Sequence, residues 1–167
     1  MKKIYFATAA IVGTLDITYA IVFSYFRSGA APARVLQSVA AGWFGREAAT
    51  AGGGSTAAAG LAFHFLIAFT ITAIFFGASR LVPWLIRAPW IAGPLYGIGV
   101  YIVMNFVVIP LSRIGVRPHP PMTVLVPGLL VHMFVIGTPI ALGARRAWLA
   151  TAPSSSAARS RSSVPAL

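Results

Sequence analysis

TAAAGLAFHFLIAFTITAIFFGAS, residues 56–79, contains no Lys, Arg, Asp, Glu or Pro, and its one strongly polar side chain is His64. A helix needs about 20 apolar residues to cross a hydrocarbon core roughly 30 Å thick. Backbone amides in lipid must be satisfied within the structure itself, which only helices and closed barrels achieve. This run is continuous and does not alternate apolar with polar positions, so it reads as a spanning helix and not a barrel strand.

Three further stretches have the same character, at residues 4–26, 90–112 and 122–143. Arg or Lys flanks every span, and none holds more than one charged residue. Pro94, Pro110, Pro127 and Pro139 fall within spans three and four or near their ends, where membrane helices accommodate them with local kinks. Lys2 and Lys3 could open a signal peptide, but the apolar run behind them is too long and carries Asp16 in its middle. Its best small-residue cleavage site, Gly29-Ala30-Ala31, is followed by Pro32. The first span is therefore expected to be retained.

Composition agrees. Of 167 residues, 58% are hydrophobic and 9% charged, where soluble chains carry about 25% charged residues. Such a chain cannot cover itself with polar surface. A soluble enzyme, a disordered regulator and a free nucleic-acid-binding domain are excluded. The formal charge of +11, from 13 Lys+Arg against 2 Asp+Glu, belongs to loops and marks orientation. With no Cys, there is no disulfide, thiolate nucleophile or Cys-ligated metal.

Lys2, Lys3, Arg80, Arg87, Arg145, Arg146, Arg159 and Arg161 fall on one side of the spans, and Arg27, Arg34, Arg46, Arg113 and Arg117 on the other. The positive-inside rule then places both termini in the cytoplasm. Trp84, Trp90 and Trp148 fall at the inner edge and Trp43 at the outer, each suited to anchor at headgroup depth.

The loop between spans one and two is the long one. Pro32 suits a first helical position. Val35, Leu36, Val39, Ala40 and Trp43 recur at helical spacing, with Arg34, Gln37 and Ser38 off that face. A short interfacial amphipathic helix is expected over about 32–44. Arg46 and Glu47 suggest a surface ion pair, and Gly52-Gly53-Gly54 a flexible joint into span two. No Gly-Lys-Ser/Thr follows the glycines, so they are no phosphate loop. Residues 147–167 read as a disordered, solvated cytoplasmic tail, Arg159 and Arg161 included. His119, among prolines, reads as a solvated loop residue.

Polar side chains within a bilayer are costly and each needs an account. Each span carries one: Asp16, His64, Asn105 and His132. Counted along antiparallel helices at about 1.5 Å per residue, the four fall within a layer roughly 5 Å deep near the middle of the membrane. Gly60 lies four residues before His64, Gly128 four before His132, and Gly93 and Gly97 lead by the same spacing to Tyr101 and Asn105. Small residues let helices approach until polar groups bond across the contact. Gly93 and Gly97 could equally face a second copy.

Three accounts fit the cluster. Asp16 pairs with His64 or His132 and Asn105 bridges helices, purely as packing. Alternatively, the carboxylate and imidazoles handle a proton or a polar substrate. In the third, His64 and His132 are axial ligands of a b-type haem, or with Asp16 hold a metal, although no cofactor is the simpler expectation. No Gly-x-Ser-x-Gly or His-Glu-x-x-His occurs and Glu47 is the only Glu, so no enzymatic role is expected.

Gly13-Thr14-Leu15-Asp16, Val35-Leu36-Gln37-Ser38-Val39-Ala40-Ala41-Gly42, His64-Phe65-Leu66-Ile67-Ala68-Phe69 and Met104-Asn105-Phe106-Val107-Val108-Ile109-Pro110-Leu111-Ser112 resemble a family of small four-span bacterial membrane proteins. The resemblance covers roughly residues 4–146. The second half is more distantly similar to the YagU-type inner-membrane proteins, through His64, Pro110-Leu111, and His132 before Arg145-Arg146. It departs from them in lacking their longer polar loops and an acidic residue beside the last His. The resemblance implies a helical protein of a bacterial inner membrane and no particular chemistry.

The expected molecule is an all-α integral membrane four-helix bundle over residues 1–146, with one interfacial helix and both termini inside. Its expected role is a structural, assembly or stress-related membrane component whose partners are lipids, other membrane proteins or a second copy, and not nucleic acid. The alternative is a small proton-linked transporter or channel subunit using Asp16, His64, Asn105 and His132.

Overall fold

The computed structural model describes residues 1–116 and 120–151. Among them there are helices and no strands. We number them α1 (Lys2–Ser28), α2 (Pro32–Phe44), α3 (Arg46–Ala51), α4 (Gly53–Leu81), α5 (Trp84–Arg87), α6 (Pro89–Leu111) and α7 (Met122–Leu149). Helices α1, α4, α6 and α7 are each long and apolar enough to span a membrane. The chain is a four-helix membrane bundle, with α2 and α3 at one end and the start of α1, the end of α7 and α5 at the other.

The bundle is tight at its terminal end. Val12, Phe75, Phe76, Ala92, Ile136, Ile140, Ala141, Ala144 and Ala147 form one buried cluster there. Small residues on α6 and α7 make the approach close. A Cβ on Gly97 would overlap the His132 carbonyl, one on Gly137 the Gly93 carbonyl, and one on Gly93 would lie 2.6 Å from the Thr138 Cα. Gly93 and Gly97 are thus spent inside the bundle, against α7. Tyrosine hydroxyls add cross-links, Tyr5 Oη donating to the Phe69 carbonyl at 3.0 Å and Tyr96 Oη to the Ile71 carbonyl at 2.6 Å.

The α2 end is looser. No residue of α7 from Met122 to Val131, nor of α6 from Met104 to Leu111, is fully buried. Both helices also widen into π-helical turns, at Met104–Val108 and His132–Gly137. Pro110 and Pro139 each lie two residues past the end of one of these turns. A proline ring collides with the carbonyl four residues back and has no N–H to offer it, and a widened turn relieves both problems. In the second turn the Thr138 hydroxyl donates to the Met133 carbonyl at 3.0 Å.

Helix α2 has the expected bounds, but it packs differently from its hydrophobic pattern. Gln37, placed on the solvated face by the pattern, is 7% exposed, and its Nε2 donates to the Gly53 carbonyl at 2.9 Å. Trp43 is 69% exposed, as an anchor at headgroup depth would be. Acyl chains satisfy an indole as well as a core does, so apolarity alone does not choose the buried face in lipid. The close approach at Gly60 is to this helix and not to another span: a Cβ there would overlap the Leu36 carbonyl.

Three other expectations change. The Gly52-Gly53-Gly54 joint is a defined turn, in which only Gly53 (φ 57°) takes the left-handed region and α4 begins at Gly53 itself. No Arg46–Glu47 ion pair forms among the described residues, because successive positions on a helix point apart. The last helix runs on to Leu149, and Ala147, assigned to the tail, is fully buried. Residues 152–167, with Arg159 and Arg161, and Arg117, Pro118 and His119 lie outside the described residues.

Candidate functional site

All four polar residues from the spans line one cavity of about 330 Å³. Asp16 enters from α1, His64 from α4, Asn105 from the widened turn of α6 and His132 from the widened turn of α7. The remaining walls are mostly aliphatic, and Val35, Ser38 and Val39 of α2 close the chamber. A second cavity of about 610 Å³ adjoins it toward the α2 end. Ala20, Ser24, Asn105, Ile109 and His132 line both, and Tyr19, Phe23 and Tyr101 line the larger one.

Hydrogen bonding fixes the chemistry of the rings. His64 donates Nε2–H to the Gly13 carbonyl at 2.7 Å, tying α4 to α1. His132 donates Nδ1–H to the Gly128 carbonyl at 2.8 Å, one turn back on its own helix. Carbonyl oxygens only accept, so these nitrogens carry the protons. Each neutral ring therefore keeps one lone pair, on Nδ1 of His64 and Nε2 of His132. Asn105 donates Nδ2 to the Tyr101 carbonyl at 2.9 Å, which leaves its Oδ1 as an acceptor. Tyr101 stands edge-on to the His132 ring, centroids 5.1 Å apart.

Asp16 is not bonded directly to either imidazole. It lines the same cavity as both of them. The expected Asp–His pair is thus replaced by three proton-accepting groups around a shared space. The Tyr19 hydroxyl, one turn beyond Asp16, is buried without a hydrogen-bond partner.

The packing glycines divide. Gly93 and Gly97 set the α6–α7 contact and Gly60 the α2–α4 contact, while Gly128 meets only the Tyr101 ring edge, 3.3 Å from a Cβ built there. For the haem alternative, the Nε2 of His64 is taken by the Gly13 carbonyl, which leaves Nδ1 as its free ligand atom. Among the described residues, no three His, Cys, Asp or Glu side chains converge tightly enough to hold a metal ion.

The part played by α2 was missed at the level of sequence. Its Val35, Ser38 and Val39 carry no polar signal beyond one serine. The larger cavity was also missed, since it arises from loose packing and two prolines and not from any motif. No family model, curated protein or solved structure matches the chain. The fold places it among multi-pass helical membrane proteins.

Proposed function

We propose that the chain is a non-enzymatic membrane protein that takes protons, and with them a small polar solute, into its buried chamber, as a proton-linked transporter or channel subunit does. The carrying observation is the meeting of Asp16, His64, Asn105 and His132, one from each span, around a single cavity. Keeping four such groups in lipid is costly, and that cost falls where they share a site. The larger cavity gives the chamber a way toward the α2 end, while the buried apolar cluster fills the terminal end. The loop charges favour cytoplasmic termini, so that the chamber opens outward, and a bacterial inner membrane is what the family resemblance implies.

A second reading is a structural or assembly component. The His64–Gly13 bond favours it, because it clamps two spans together whatever else the ring does.

Proteoliposomes with an imposed pH gradient and a trapped pH-sensitive dye separate the two. Proton-handling predicts dissipation well above that of empty vesicles, abolished by Asp16→Asn and His64→Ala in variants that remain monodisperse. A wild-type protein that leaves the gradient intact contradicts it. Variants that lose expression or monodispersity beside a silent wild type support the structural reading.

A further inference from the structure

A further cavity lies at the α2 end, sharing only Ser38 with the chamber. Arg34, Gln37, Ser38 and Ala41 recur along one face of α2 at the three- and four-residue spacing of a helix stripe, and Arg46 and Thr50 do so on α3. These six line a cavity of about 270 Å³. Its floor, Gln37 and Ala41, is buried, and its rim of Arg34, Ser38, Arg46 and Thr50 is exposed. Gly45 brings the two helices together. Its φ of 83° with ψ 162° belongs to a region essentially reserved for glycine, and it turns α3 back so that Arg46 and Thr50 face Arg34 and Ser38.

The charge is unbalanced. The chain has two acidic side chains. Asp16 is in the chamber and Glu47 makes no ion pair with either arginine among the described residues. Two guanidinium forks and a threonine hydroxyl thus meet around a small polar hollow on a helix flanked by the exposed Trp43. Guanidinium forks match the paired oxygens of a phosphate, and such pairs are the strong form of hydrogen bond. A volume just below the usual range for small-molecule sites suits a headgroup and not a whole lipid.

We infer that Arg34 and Arg46 form a binding site for a phosphate group, that of an anionic phospholipid headgroup in the adjoining leaflet or of free phosphate. The Ser38 hydroxyl donates to the Val35 carbonyl at 2.7 Å, so its oxygen is left as an acceptor. Thr50 is the hydroxyl that donates to the ligand.

The test is native mass spectrometry of the full chain in a neutral detergent, titrated with phosphatidylglycerol, phosphatidylcholine or inorganic phosphate. The expected result is at least tenfold preferential retention of one phosphatidylglycerol over phosphatidylcholine. The Arg34→Gln/Arg46→Gln variant loses it, whereas Arg27→Gln, also at this end but outside the cavity, keeps it. Competition by millimolar inorganic phosphate assigns the site to the phosphate group alone, and its absence assigns it to the lipid. If the double variant does not fold, Arg34→Lys/Arg46→Lys keeps the charge without the fork and should weaken retention several-fold. Equal retention of both lipids by the wild type, or wild-type retention by a folded arginine variant, overturns the inference.

Discussion

His64 on α4 donates its Nε2–H to the carbonyl of Gly13 on α1, 2.7 Å away, at a point where a Cβ on Gly13 would collide with the Phe65 ring. The bond joins two spans and fixes which ring nitrogen is left over. Interhelical hydrogen bonds in membranes contribute about 0.6 kcal/mol on average, up to about 1.7. His64→Ala should therefore lower stability by about 1 kcal/mol, measured by denaturing-detergent titration in mixed micelles. Leu66→Ala, on the lipid face and 64% exposed, should cost less. Equal losses would show that the bond contributes nothing.

Gly97 and Gly99 make a matched pair two residues apart. A Cβ at Gly97 overlaps the His132 backbone, which cannot swing aside as a side chain can, while a Cβ at Gly99 meets nothing within 4 Å. Gly97→Ala should cost about 1–3 kcal/mol or prevent expression. Gly99→Ala should be neutral or stabilise by up to about 1 kcal/mol. The same titration, or comparative expression, checks both.

The four spans and the bounds of α2 were legible because lipid imposes a length on apolar runs and Pro32 marks a helix start. The shared level of Asp16, His64, Asn105 and His132 was legible for a related reason, since antiparallel helices of known rise fix depth by counting. Rotation about each helix axis was only partly legible. Glycine stripes marked Gly93 and Gly97 as a contact face without choosing between α7 and a second copy, and marked Gly60 as a packing residue without naming α2 as its partner. Gln37 departed from its expected solvated face because its side chain found a buried backbone acceptor, the Gly53 carbonyl. The widened turns beside Pro110 and Pro139 depend on how each kink is relieved, which the position of a proline does not dictate.

Pro139→Ala restores the missing N–H and removes the collision that widens the turn beginning at His132. Relaxation to a regular α-helix would rotate His132 relative to the rest of α7. The expected outcome is loss of gradient dissipation with helix content unchanged by circular dichroism. Full activity in this variant would show that the widened turn does not position His132.

Topology is open to labelling, because the chain has no Cys of its own. Ala33→Cys at the start of α2 should react with a membrane-impermeant maleimide in intact cells. Ala150→Cys, beyond the end of α7, should react only after permeabilisation. The reverse pattern would invert the bundle.

The most direct test of the shared chamber is paired-cysteine cross-linking across it. Asp16→Cys with His132→Cys should join through a short bifunctional thiol reagent in native membranes, as the cavity they both line requires. Leu15→Cys with His132→Cys should not, because Leu15 is exposed on the outer surface of α1. Intramolecular linkage of the first pair alone is the predicted result. A first pair that stays unlinked, or that links no better than the second, would contradict the convergence of the polar side chains.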